Sequence, residues 1–388
     1  MTELKEYKLG EIATKITSGG TPKSSVAKYY DGDIPWLNTK EINFNRISKT
    51  ERCITEDGLN NSSAKWIPKD SVIIAMYGAT AAKVAYSLID LTTNQACCNL
   101  IINNDIADSK FVYYYIQSSY EELLNLACGA AQQNLSLGVI ADFPILLPPL
   151  LTQRRIATIL SSLDDKIDLL HRENATLEQM AETMFRQWFV VEAKEEWEEG
   201  KLGDILTVKG GTTPSTKESS FWDGDIAWTS PRDVTTLNGL FLFDTEKKIT
   251  QKGLEQISSG LLPSGTLLMS SRAPVGVLAF AEIPLAINQG YIAILDEKGY
   301  PNEFIYLWLK TNIDLVHSYS NGSTFMEISK SAFKSLDISI PSKNEVECFV
   351  QEVKPYFDKI RTNEIQIRTL TKTRDGLLGR LMSGEIKI

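Results

Sequence analysis

The chain states most of its pattern twice. Lys8-Leu9-Gly10-Glu11-Ile12 returns as Lys201-Leu202-Gly203-Asp204-Ile205, and Asp31-Gly32-Asp33-Ile34-Pro35-Trp36 returns as Asp223-Gly224-Asp225-Ile226-Ala227-Trp228. Asn94-Gln95 matches Asn288-Gln289, Phe111-Val112-Tyr113 matches Phe304-Ile305-Tyr306, and the offset stays near 193 residues. Solenoid repeats have units of about 20 to 50 residues. The longer period marks a duplicated domain, so the chain is a pseudo-dimer whose ligand should offer two similar or paired sites.

A chain of 388 residues with 43% hydrophobic content is large enough for two or three separate cores. The N-terminus carries acid with no apolar run behind it, and the longest apolar stretch, residues 72–89, is interrupted by Gly78 and Lys83. Neither a secretory signal nor a membrane span is expected, and the reading is a soluble cytoplasmic protein. Cys53, Cys97, Cys98, Cys128 and Cys348 form no close metal-binding pair, and only His171 and His317 supply imidazole. Free thiols of a reducing compartment are expected, with no metal site.

The net charge of −9 argues against a phosphate-binding surface until its location is considered. Eleven acids against four Lys or Arg fall between Asp164 and Gly200. The acidity therefore belongs mainly to one connecting segment, and the duplicated domains can still present basic surfaces.

Each repeat has two parts. The first, about 8–148 and 201–341, holds short apolar runs punctuated by Gly, Pro, Asn and Asp, such as Ser71–Ala75, Leu267–Ser270 and Gly276–Phe280. These read as strands, with helical stretches over Lys110–Leu126 and Asn302–Val316. The second part is a long helix, announced by Pro148-Pro149 before Thr152 and by Pro341 before a capping box at Ser342 and Glu345. The expected class is α+β: two strand-rich domains, 1–150 and 193–341, joined by a central helix (151–192) and a C-terminal helix (342–388).

Apolar residues in the first helix recur at alternating spacings of four and three from Ile156 to Trp188, and eight of the ten positions one period later are apolar too. Both helices are thus coiled-coil formers. Each seam has a polar interruption, at Asn174 and Asn363. Setting these opposite each other in an antiparallel pair also aligns Leu170 with Ile367, Leu177 with Ile360, Ala181 with Tyr356 and Trp188 with Phe349. A buried amide pair of this kind fixes register. Pro355 is expected to kink the second helix. At roughly 1.5 Å per residue, a helix from 152 to about 190 is on the order of 55 Å long. Two domains at opposite ends of such a rod, related by a pseudo-twofold axis, suit a bipartite site on a rod-like ligand such as DNA.

Catalytic signatures are missing: the sequence has no P-loop, no dinucleotide-binding glycine motif, no zinc-protease helix and no nucleophile elbow. Two histidines without a triad leave little for general base catalysis.

The two opening motifs, the turns Gly19-Gly20-Thr21-Pro22 and Gly211-Thr212-Thr213-Pro214, the Asp-Gly-Asp-Ile-x-Trp segments and the proline-led long helices together resemble the specificity subunit of type I restriction-modification enzymes. Residues 181–189 and 377–385 are similar to that family's central and C-terminal conserved regions, and Ser271–Gly276 to a motif inside its recognition domain. The first copy departs there, with Met76-Tyr77-Gly78-Ala79-Thr80. The resemblance implies a non-catalytic subunit. Each globular domain would read one half of a bipartite asymmetric sequence in double-stranded DNA, with the helices setting the spacer. Two modification subunits, holding S-adenosylmethionine, and the restriction subunits would be its partners. The rival reading is a coiled-coil scaffold whose paired domains bind protein or glycan.

Readers of DNA need amide, hydroxyl or guanidinium groups on loops, with Lys or Arg nearby for phosphates. In the first domain these are Thr21, Lys23, Lys40, Tyr77, Lys83, Gln132, Gln133 and Asn134; in the second, Lys209, Thr213, Lys217, Arg232, Arg272, Ser323 and Lys330. Half-sites of different sequence need different readers, so the shared Asn94-Gln95, Trp36 and Trp228 are expected to be scaffold. The glycine-rich turns are either phosphate nests or tight turns. Candidates for partner docking are the acids Asp164, Asp165, Glu173, Glu178 and 195–199, with Phe185, Trp188 and Phe189 as anchors if the helix pair leaves them exposed.

Overall fold

A computed structural model describes residues 4–127, 134–321, 326–386 and 388. The chain divides into two compact units, one of residues 1–166 with 370–388 and the other of residues 167–369. Each unit therefore contains a strand-rich domain and a stretch of both long helices.

In the first unit a five-stranded sheet runs in the order Ala13–Ser18, Cys97–Ile102, Val72–Ala75, Val84–Ser87, Asn45–Ile47. Its pairs are antiparallel except the last. A four-stranded sheet orders Arg52–Ile54, Tyr30–Leu37, Leu91–Thr93 and Trp66–Ile67, and Lys5–Lys8 pairs with Pro144–Leu147. The second unit repeats the plan: Thr207–Lys209, Tyr291–Leu295, Leu267–Ser270, Leu278–Ala281 and Phe241–Leu242 form five strands. Lys247–Ile249, Trp222–Thr229 and Leu285–Ile287 form three, and Glu198–Lys201 pairs with Asp337–Ile340. The central strands Val72–Ala75 and Leu267–Ser270 are buried on both faces, which is why they read as unbroken apolar runs rather than alternating ones.

The repeated Asp-Gly-Asp-Ile-x-Trp motif has a backbone cause. Asp31 and Asp223 take positive φ, 60° and 59°, and strand pairing shifts register just beyond them. A Cβ on Gly32 would stand 2.6 Å from the Ile54 carbonyl oxygen, and one on Gly224 2.5 Å from that of Ile249. The motif is a bulge that turns the strand so that Trp36 or Trp228 faces inward.

Each of the two shorter helical stretches read from the sequence is broken in the middle, giving Ser109–Ser118 with Tyr120–Ala127 and Asn302–Thr311 with Ile313–Ser318. Ser119 and Asn312 carry ψ of 20° and 28°, outside the helical range, and Asn312 Nδ2 closes the first helix on the Trp308 carbonyl.

The long helices span Leu150–Arg186 and Lys343–Met382, the first continuing into a π turn at Gln187–Val191. The second starts at the capping box, Glu345 N–H donating to Ser342 Oγ and Ser342 N–H to Glu345 Oε2, and it continues through Pro355. Within the second unit the helices pair antiparallel. Phe185 packs edge-on and Trp188 tilted against Phe349, at ring separations of 5.9 and 5.6 Å, and Asn363 Nδ2 donates to Asn174 Oδ1 at 2.8 Å. Within the first unit Ile156 and Leu160 share a core with Leu378 and Leu381. Phe185 is fully buried, and Trp188 and Phe189 pack on Phe349 and on the same aromatic cluster as Phe304. Phe185 is thus a core residue, whereas Trp188 and Phe189 stay half-buried against the second domain's core.

Candidate nucleic-acid interface

In both copies the Thr-Pro turn is clamped by residues the copies share. Trp36 Nε1 donates to the Gly20 carbonyl at 2.9 Å, and Trp228 Nε1 to that of Thr212 at 3.4 Å. Behind the proline, Tyr30 Oη donates to the Pro22 carbonyl and Trp222 Nε1 to that of Ser215. Thr21 donates its hydroxyl to Gln95 Oε1, as Thr213 does to Gln289 Oε1 at 2.7 Å. Asn94 and Asn288 shape the facing loop by accepting from the N–H of Ala96 and Gly290. A Cβ on Gly20 would lie 2.2 Å from the Ala64 nitrogen, and one on Gly211 1.7 Å from the Ile287 oxygen. These glycines allow backbones to meet, so the turns are tight packing elements rather than phosphate nests.

A second loop joins this turn in each copy. The hairpin loop after Val72–Ala75 bonds through Met76 N–H to the Ala96 carbonyl, and Leu135 N–H bonds back to the Met76 carbonyl. In the second copy Ser271 N–H reaches the Gly290 carbonyl and Ile328 N–H the Ser271 carbonyl. Single β-bridges link Tyr77 with Asn134 and Arg272 with Glu327. Hydrogen bonds thus gather Thr21, Tyr77 and Asn134 into one patch of the first copy, and Thr213 and Arg272 into the equivalent patch of the second. Lys330 lies over Gly210 beside that second patch, its Nζ 2.8 Å from where a Cβ would stand.

The remaining nominees are placed differently. Lys23 and Lys217 are exposed on the segment after the proline turn, and Lys209 is exposed on its strand opposite Ala293. Lys40 pairs with Glu51 at 2.6 Å, and Lys83 Nζ donates to Asn43 Oδ1 above the Phe44 ring. Arg232 faces Glu246 at 3.9 Å. Gln132, Gln133 and Ser323 lie outside the described residues. Glu327 was not among the sequence nominees, although it stands one period after Asn134.

Of the acids read as a docking face, Glu195, Glu196, Glu198 and Glu199 are exposed, while those on the long helix are engaged within the chain. Asp164 is buried and accepts from Tyr114 Oη and Arg374 Nη1; Asp165 accepts from Arg46 Nη1 at 2.6 Å. Glu173 pairs with Lys359 at 3.5 Å, and Glu178 with Lys310 and the Tyr306 hydroxyl. Burial and the neighbouring carboxylates push the Tyr114 and Tyr306 hydroxyls far above the ordinary phenol range, so both act as donors. Cys97 and Cys98 are buried, which holds both thiols protonated. Among the described residues no cluster of His, Cys, Asp or Glu suits a metal ion, and no helix is long and apolar enough to cross a membrane.

Residues 1–179 and 194–372 match the family model described as type I restriction modification DNA specificity domain. Over its whole length the chain is 28% identical to the type I restriction enzyme MjaIX specificity subunit of Methanocaldococcus jannaschii, covering 97% of that protein. It is 23% identical to the HindI specificity subunit of Haemophilus influenzae, each chain covered in full. The crystal structure of a type I restriction-modification system S subunit from M. genitalium shares the fold, with a TM-score of 0.58 at 18% identity over 98% of this chain and 96% of that one.

Proposed function

Because the chain belongs to the type I restriction-modification DNA specificity family, we propose that each copy reads one half of a bipartite, asymmetric sequence in double-stranded DNA. The chain acts as a non-catalytic specificity subunit. One observation carries this reading: two copies of one loop framework, held by equivalent hydrogen bonds at the turn and the hairpin loop, present different exposed chemistry. Thr21, Lys23, Tyr77 and Asn134 serve the first half-site, and Lys209, Thr213, Lys217, Arg272 and Lys330 the second. Lys40, Lys83 and Arg232 would reach phosphates after exchanging their present partners.

In this reading residues 1–150 and 193–341 are the recognition domains. Residues 151–192 and 342–388 set the spacer and dock two modification subunits, which bring S-adenosylmethionine, with restriction subunits joining that cytoplasmic core. The test is the methylome of a host lacking its own modification systems, expressing this chain with and without its modification subunit. A new bipartite methylated motif that needs both proteins, and changes when residues 8–148 are exchanged, supports the reading. An assembled complex that leaves no new motif overturns it and favours the scaffold.

A further inference from the structure

Within the second unit a cleft of about 440 Å³ opens between the strand-rich domain and the C-terminal helix. Its floor is Phe241, Phe280 and Phe357, with the outer two rings 5.5 and 5.9 Å from the middle one, and its rim is acidic. Arg361 is held by Glu282 at 2.6 Å and Lys354 faces Glu303 at 3.7 Å. Asp296, Glu297 and Asp358 make no side-chain hydrogen bond or ion pair among the described residues. Asn302 lines the same cleft and is only 6% exposed. Its Nδ2 donates to the carbonyls of Gly265 and Ile294, which fixes the amide and leaves Oδ1 a buried acceptor with no partner among the described residues. Such an acceptor is costly until a donor reaches it.

The first copy closes the equivalent place with its own groups. Tyr86, Asp70 and Ser109 stand one period before Phe280, Gly265 and Asn302. Tyr86 Oη donates to Asp70 Oδ1 at 2.8 Å and lies 3.2 Å from Ser109 Oγ. The amides Asn103 and Asn104 stand where the second copy has Asp296 and Glu297. The open acceptor and the added charge therefore belong to the second copy alone and not to the shared frame.

We propose that this cleft binds a small aliphatic di- or triamine, a site independent of DNA reading. The methylenes lie on the three phenyl rings, and the ammonium N–H groups donate to Asn302 Oδ1 and to the free carboxylates. The faces of the rings add attraction for the cation. Among the described residues no group of acids suits a metal ion, which points to an N–H donor instead. The volume falls within the roughly 300–1,000 Å³ of small-ligand sites. A single ammonium would answer either the loop acids Asp296 and Glu297 or Asp358 on the helix, whereas a chain charged at both ends answers both.

The experiment is calorimetric titration of spermidine into the full chain at about 0.15 M salt, where diffuse attraction between exposed charges is largely screened. A single saturating equivalent is expected, displaced by putrescine but not by magnesium chloride of equal ionic strength. The melting midpoint should rise as spermidine is added. Asp296→Asn with Glu297→Asn, which imports the first copy's amides, should weaken binding about tenfold. Phe280→Tyr, which offers Asn302 Oδ1 a hydroxyl, should weaken it about threefold. Glu195→Gln with Glu196→Gln removes the same charge from an exposed segment outside the cleft and should leave the affinity unchanged. Absence of saturable binding, equal weakening by the two double variants, or displacement by magnesium would overturn the proposal and make the rim a solvated acidic surface. Melting curves without ligand show whether each variant is folded. The Asp296→Asn, Glu297→Asn chain, altered only at exposed positions, still decides if Phe280→Tyr does not fold.

Discussion

Arg374 Nη1 donates to Asp164 Oδ1 at 2.8 Å, with the two side chains only 16% and 8% exposed. Arg374 occupies a seam position that the heptad pattern reserves for an apolar residue, and this bond is the reason a charge is tolerated there. Asp164 also accepts from Tyr114, which ties the first recognition domain to the same point. Arg374 also donates to Asp375 Oδ1 at 2.8 and 2.9 Å, so each partner keeps a second contact when the other is removed, and Asp164→Ala or Arg374→Ala should cost about 1–3 kcal/mol. Urea unfolding of the purified chain checks this, and a loss below about 1 kcal/mol would contradict it.

The asparagine pair should behave in the opposite way. Asn363 is fully buried, and its Oδ1 has no partner among the described residues, so the amide contact is only half satisfied. Replacing both Asn174 and Asn363 by Leu should raise stability by about 1–2 kcal/mol while weakening the specification of register. Thermal melting with light scattering would show a higher midpoint and extra oligomers; a lower midpoint would refute the reading of this contact as half satisfied.

Glu364 makes the second unit sensitive to pH. Burial lifts its carboxyl to about 7, helped by Glu178 and Glu282 and opposed by the N–H groups of Leu240 and Phe241 that it accepts from at 2.7 and 3.1 Å. A carboxyl whose pKa is raised by folding stabilises the folded state fully below its unfolded value of 4.5, and that contribution is lost as pH rises through about 7. Stability carried by this group should therefore fall between pH 5 and 8, by at most roughly 3 kcal/mol. Glu364→Gln should flatten that part of the profile. Parallel urea midpoints for the two proteins across this range would rule it out.

Exposed lysines and the clamped turn should fail in different ways. Lys23→Ala and Lys217→Ala should weaken DNA binding by the assembled complex evenly across sequences, each lowering the salt slope by about 1. Trp36→Phe removes the bond to the Gly20 carbonyl and should cost about 1 kcal/mol of stability without altering the salt slope. Titrations at several salt concentrations separate the two, and a changed slope for Trp36→Phe would sink the distinction.

The duplication, the strand-rich class and the paired long helices were legible because each rests on a local period: alternation or unbroken apolar runs for strands, four-three spacing for helices. The structural use of Trp36, Trp228 and Asn94-Gln95, which bond to the turns and shape the facing loops, matches their presence in both copies. The helix breaks at Ser119 and Asn312 escaped because both lie inside continuing apolar patterns, and only backbone angles end the helix there. The partners of the acidic helix face escaped for a different reason. Its charges look solvated in sequence, yet Asp164 finds Arg374 from 210 residues away and Asp165 finds Arg46 from 119. The same holds for Glu327, whose pairing with Arg272 appears only once two loops are bridged. Sequence by itself determined which segments repeat and which faces are apolar, because those depend on neighbours within a few turns. Tertiary structure alone decided which charges meet, because ion pairs and loop bridges join residues whose separation along the chain carries no periodic signal.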